Sequence, residues 1–150
     1  MQRKTRKSVR VRIGRSQKHH HSPPVPIFLV TKRSGLSQLF KASTKTSAVL
    51  SFVEMHEVLS ALGRIKPRSE TETILVAIDL STTADAAPLI RFLRSSPDMS
   101  AIPIVTIGTT ADFNGLDPAT RAALTDMLHV SATANEIETA IAKHLNSGAS

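Results

Sequence analysis

Residues 74–80 read Ile74-Leu75-Val76-Ala77-Ile78-Asp79-Leu80, five consecutive apolar residues running into one carboxylate. Three of the five are β-branched, and no polar residue alternates with them. A run of this kind fits a strand covered on both faces, as in a parallel sheet. Ligands of open α/β sheets bind outside the carboxyl ends of the strands, which makes Asp79 the first residue to consider for function.

The pattern repeats on either side. Upstream, Ile27 to Val30 is a second apolar strand, followed by a helix with Leu36, Leu39 and Phe40 on one face. Ala48 to Phe52 is another strand, and Met55, Val58, Leu59 and Leu62 follow at i, i+3, i+4 and i+7, a helix closed by Gly63,. Downstream, Pro88 opens a helix with Leu89, Phe92 and Leu93 turned inward and Arg91 and Arg94 outward,. Ile102 to Ile107 is the next strand, Asp117-Pro118 starts a helix reaching about Leu124, and Met127 to Val130 is the last strand,. Thr133-Ala134-Asn135-Glu136 is a capping box for a final helix striped by Ile137, Ala140, Ile141 and Leu145,. No internal repeat interrupts the series. Five strands, each apolar on both faces and alternating with five helices, predict a doubly wound α/β domain with a parallel sheet.

Charge is distributed unevenly. Of the 19 Lys and Arg, eight lie in residues 1–20 (Arg3, Lys4, Arg6, Lys7, Arg10, Arg12, Arg15, Lys18), where there is no acid. Residues 21–150 then carry eleven basic against 12 acidic residues, so the formal charge of +7 belongs to an N-terminal arm. Residues 1–24 are too poor in apolar side chains to offset their ordering entropy and read as a disordered arm ending at Ser22-Pro23-Pro24,. Val9, Val11 and Ile13 alternate with Arg10 and Arg12, which matters only if a sheet edge or a partner receives them,. With no cysteine, the chain has no disulfide, thiol nucleophile or thiolate metal site,. Its longest apolar stretches are far too short to cross a bilayer, so a soluble, cytoplasmic protein is expected,.

The order of elements, with Ile74 to Leu80, the run Leu89-Ile90-Arg91-Phe92-Leu93-Arg94 before Ala101-Ile102-Pro103-Ile104-Val105, and Asp126-Met127-Leu128 leading to Glu136-Ile137, resembles the receiver (phosphoacceptor) domains of bacterial two-component response regulators. The resemblance covers residues 26–146 and implies a flavodoxin-like (CheY-like) fold of five parallel strands and five helices, a domain over residues 25–147. It implies that Asp79 matches the aspartate that accepts a phosphoryl group from a histidine kinase. The acidic pair with which the family holds a divalent cation is matched by Thr31 and Lys32, with Arg33 beside them. The family's hydroxyl residue after the fourth strand is matched by Gly108, with Thr109 adjacent, and its phosphoryl-binding lysine by Val130. Thr82-Thr83 replace the Met-Pro that follows the acceptor, in a loop one residue shorter.

These departures imply a degenerate, pseudo-receiver module: a non-catalytic domain acting by protein-protein interaction, without a magnesium cofactor or metal site, whose partner is a histidine kinase, another receiver or an output protein. Two arrangements of its centre are open. Either Lys32 or Arg33 folds inward to pair with Asp79 and fixes one signalling state, or both point to water and backbone N–H groups satisfy the carboxylate. Other readings stand beside this one. The arm suits nucleic acid or an anionic surface, though it lacks aromatics for base stacking and no helix-turn-helix follows it; it also suits an organellar transit peptide or a solubilising tail. An atypical regulator still phosphorylated on Asp79, or a small-molecule enzyme of flavodoxin-like fold, are further alternatives. His19-His20-His21 read as a weak metal ligand or a polar linker, and His56 and His129 as structural,. The isolated Gly35, Gly63, Gly108 and Gly115 make no phosphate loop, and Ser34 and Ser81 have no triad partner at recognisable spacing,.

Overall fold

Leu75, Val76, Ala77 and Ile78 are wholly buried, and that burial places their strand at the centre of the sheet. Each large side chain among them contributes about 1.5–3 kcal/mol by leaving water. A computed structural model describes residues 25–44, 47–65 and 74–149. The expectations for the arm, including Val9 to Ile13 and His19 to His21, lie outside the described residues.

The elements in chain order are β1 (Val25–Val30), α1 (Ser34–Ser43), β2 (Ser47–Phe52), α2 (Met55–Ile65), β3 (Leu75–Asp79), α3 (Ala86–Ser95), β4 (Ile104–Gly108), α4 (Thr110–Asn114), α5 (Pro118–Ala122), β5 (Asp126–His129) and α6 (Ala134–Ala149). All four strand pairings are parallel, in the order β2-β1-β3-β4-β5. The flavodoxin-like class is therefore the one observed. Alternate residues of the central strands feed two cores. Phe28, Val30, Val76, Ile78 and Ile104 meet α2 and α3 through Val58, Leu62, Leu89 and Leu93. Ile27, Leu29, Leu75, Ala77, Val105 and Ile107 meet α1 and α6 through Leu36, Phe40, Ile137 and Ile141.

Several expectations need correction. Six helices are described instead of five, because the β4–β5 interval holds two short ones. The first opens on a capping box between Thr109 and Asp112, the second on Asp117 with Pro118 in its first turn. The second stops at Ala122, short of Leu124. β4 begins at Ile104 because Pro103 has no N–H to give; its carbonyl instead accepts from Val76 N–H at 3.0 Å,. β5 starts and ends one residue earlier than expected. α2 runs past Gly63 to Ile65, and α3 begins at Ala86, leaving Pro88 in the first turn where an N–H is not needed,.

The edge strands are not covered on both faces: Leu50 on β2 is 43% exposed and Met127 on β5 47%. On α3 the flanks of the apolar stripe are exchanged relative to expectation. Phe92 is exposed, whereas Arg94 turns inward, giving Nε to Ala123 O at 2.8 Å and Nη1 to Ser100 O and Ile102 O at 2.8 and 2.7 Å. Arg94 thus fastens the entrances of β4 and β5, at the end of the sheet remote from Asp79. No helix among the described residues is long and apolar enough to cross a membrane.

Candidate functional site

The strand order reverses between β1 and β3, whose carboxyl ends lie side by side, Val30 opposite Ile78, at the point where ligands of such sheets bind,. β3 delivers Asp79, wholly buried as its last residue; β1 delivers Thr31, one residue beyond its end. The Asp79 carboxylate is the hub. Its Oδ2 accepts from Thr31 Oγ1 at 2.6 Å, Arg33 Nε at 2.8 Å and Thr82 Oγ1 at 3.0 Å. Its Oδ1 accepts from Ser81 Oγ at 2.6 Å and Ser81 N–H at 3.1 Å. A carboxylate offers about four lone-pair sites, so five donors saturate it.

The surrounding loops are tied into the same network. Thr31 Oγ1 also accepts from Arg33 N–H at 3.0 Å, which curls the β1–α1 turn so that the Arg33 side chain reaches back over the strand end. Thr82 Oγ1 accepts from Lys32 N–H at 3.1 Å, joining the β1–α1 and β3–α3 loops. Thr82 and Thr83 N–H both donate to Asp79 O, closing the turn after β3. Burial by itself raises the Asp79 carboxyl; hydrogen bonds from Arg33, Ser81, Thr31 and Thr82 outweigh it and hold the group down at about 2,. The carboxylate is ionised throughout the physiological range.

Of the two arrangements open from the sequence, the inward one is observed, and through Arg33 alone. Its guanidinium pairs with Asp79 at 2.8 Å with 37% of the side chain still exposed, and its buried Nη2 has no hydrogen-bond partner among the described residues. Lys32 is exposed. The structure thus brings Thr31 and Arg33 to Asp79, whereas Lys32 reaches only Thr82, through its backbone N–H.

The remaining positions serve other ends. Gly108 closes β4 where a side chain would be crowded: a Cβ there would lie 3.0 Å from Asp112 Cβ, 3.1 Å from Asp112 Oδ2 and 3.2 Å from Leu80 Cβ. The adjacent Thr109 does not supply the missing hydroxyl, since its Oγ1 accepts from Asp112 N–H at 3.1 Å as the N-cap of α4. Val130 gives its N–H to Gly108 O at 2.9 Å and has no charge to offer. His129 is exposed and bonded through Nδ1 to Ser131, and His56 is exposed. No group of three or more His, Cys, Asp or Glu side chains that could hold a metal ion occurs among the described residues.

Sequence reasoning missed Ser81 and Thr82 as ligands of the carboxylate, because short hydroxyl residues after a strand read simply as a turn. It also missed Asp112, although Thr109-Thr110-Ala111-Asp112 carries the spacing of a capping box,.

Strand order and site position define a flavodoxin-like domain with a buried acid at its switch point. No protein-family model matches the sequence, and no curated protein does. Solved structures match the fold. A response regulator receiver domain protein from Clostridium thermocellum superposes with a TM-score of 0.66 at 15% identity, over 82% of this chain and 95% of that one. The receiver domain of the sensor histidine kinase PA1611 from Pseudomonas aeruginosa, with a magnesium ion coordinated in its active site cleft, gives 0.63 at 14% over 82% and 98%. Chemotaxis response regulator CheY4 of Vibrio cholerae gives 0.60 at 12% over 81% and 98%. The chain has the receiver-domain fold.

Proposed function

We propose that this chain is a receiver-shaped signalling module that works by binding other proteins, with Asp79 held in a standing ion pair instead of serving as a magnesium-dependent phosphoacceptor. The observation that carries the reading is Arg33 Nε at 2.8 Å from Asp79 Oδ2. Transfer of a phosphoryl group to a carboxylate needs a lone pair free to meet phosphorus and cations that neutralise the transferred oxygens. Here the lone pairs are occupied by five donors, and the neutralising charge is a fixed guanidinium bonded to the would-be nucleophile. A hard divalent cation seeks several carboxylate or carbonyl oxygens. The side chains around Asp79 are instead three hydroxyls and an arginine, a donor set that does not fit magnesium.

The domain then stays in one signalling state, is not an enzyme, and presents its outer helices to a histidine kinase, another receiver or an output protein. Beryllofluoride with magnesium tests this by ¹⁹F NMR. The expected result is no bound fluoride signal; a stoichiometric complex on Asp79 overturns the reading in favour of a working acceptor.

The eight cations and no acids of residues 1–20 favour a second contact, with a polyanion such as nucleic acid or an anionic surface,. Salt-dependent binding to duplex DNA or anionic vesicles that disappears on removal of residues 1–24 supports it; binding unchanged by that truncation excludes it.

A further inference from the structure

Three loops at the carboxyl end of the sheet converge on Gly108. Leu80, next to Asp79, gives its N–H to Ile107 O at 2.8 Å and sets its Cβ against the face of Gly108 where a side chain would stand. Val130 binds the Gly108 carbonyl from the other side. Asp112 folds over the same glycine, and its Oδ2 accepts from Thr109 N–H at 2.9 Å while Thr109 Oγ1 accepts from Asp112 N–H. A Cβ on residue 108 would crowd this seat, at 3.0–3.2 Å from Asp112 and Leu80. None of these contacts passes through Arg33, Thr31 or either oxygen of the Asp79 carboxylate.

We infer that Asp112, seated on Gly108, fixes the β4–α4 turn to the sheet independently of the charge on Asp79, so that the α4 surface is presented to partners in one position whatever happens at Asp79. This goes beyond the reading of Asp79 as permanently paired and does not depend on it. Two features separate it from a simple helix cap. A cap alone orders its own first turn, whereas here the capping carboxylate also packs on the neighbouring strand end. The same glycine is bonded or packed to the loops after β3 and β5, so the turn is held from both sides of β4.

Amide hydrogen exchange on the full chain tests the inference residue by residue at Thr109, Asp112 and Phe113. In Asp112→Ala the opening rate of these amides rises roughly fivefold, the loss expected for a removed cap. Asp112→Asn, which keeps an acceptor oxygen and the packing, recovers most of the protection. Gly108→Ala, which pushes a methyl into the seat, reproduces the Asp112→Ala pattern. In Arg33→Ala and Asp79→Asn, protection at Thr109, Asp112 and Phe113 stays within twofold of the parent. If either of these last two variants loosens the three amides as much as Asp112→Ala does, the turn is coupled to Asp79 and the inference is wrong. It is equally wrong if Asp112→Ala leaves them protected. The readout does not depend on whether Asp79 accepts a phosphoryl group, so its failure is distinguishable from failure of the proposed function.

Discussion

The carboxyl ends of β3 and β4 lie side by side, Asp79 opposite Ile107, and are finished in opposite ways. At β3 the end is a buried charge surrounded by donors. At β4 it is a missing side chain whose space two neighbours have filled. One restraint is an ion pair that is lost with its cation; the other is packing against a glycine, joined to a helix cap, and involves no cation. Two adjacent strand ends can therefore be immobilised by unrelated physics, and each can be broken without touching the other.

The largest effect is expected at β3. Arg33→Ala leaves a buried carboxylate with hydroxyl and amide donors but no counter-charge. Because water already reaches part of the arginine, the cost is about 2 kcal/mol in chemical denaturation, below the roughly 3–5 kcal/mol of a fully buried pair. The same end gives a pH signature. Asp79 is held below the ordinary carboxylate range, at about 2, so the unfolded chain takes up its proton first as pH falls,. The stability contributed by Asp79 is therefore fully present above about pH 4 and is lost between there and about pH 2. Asp79→Asn should remove this part of the pH dependence, while Asp112→Ala should leave it in place.

At β4 the expected cost is smaller. Gly108→Thr forces a Cβ to within 3.0 Å of Asp112 and 3.2 Å of Leu80, which displaces one of them at about 1–2 kcal/mol, measured by chemical denaturation at neutral pH,. Asp112→Ala costs about 1 kcal/mol. The smallest effect has the opposite sign. Thr106, in the same strand, buries an Oγ1 with no partner among the described residues, so Thr106→Val should gain about 0.5–1 kcal/mol in thermal or denaturant unfolding,.

The contrast also marks how far the sequence could be read. Ile74 to Asp79 identified a strand covered on both faces, and its terminal acid, because burial on both faces leaves no alternative to a continuous apolar run. Where two faces compete, pattern gave less. Phe92 and Arg94 stand on opposite flanks of the α3 stripe, and which one turns inward depends on the Ala123, Ser100 and Ile102 carbonyls that only the folded chain brings to Arg94. Leu50 and Met127 are apolar yet exposed because edge position, which strand order decides, is invisible in a single strand. At the site, Thr31, Lys32 and Arg33 stood out as replacements for acids, but the choice between pairing and solvation turned on the Thr31 hydroxyl, which holds the Arg33 backbone in place. Gly108 was legible as a lost hydroxyl; that Asp112 fills its space was not, since the two touch across a turn whose shape the sequence left open.

Acetyl phosphate with magnesium, followed by intact-mass measurement and peptide mapping, tests the central claim most directly. A chain in which Arg33 and four further donors occupy the Asp79 carboxylate should show no phosphoryl adduct after prolonged incubation. A stoichiometric adduct mapped to Asp79 would contradict it.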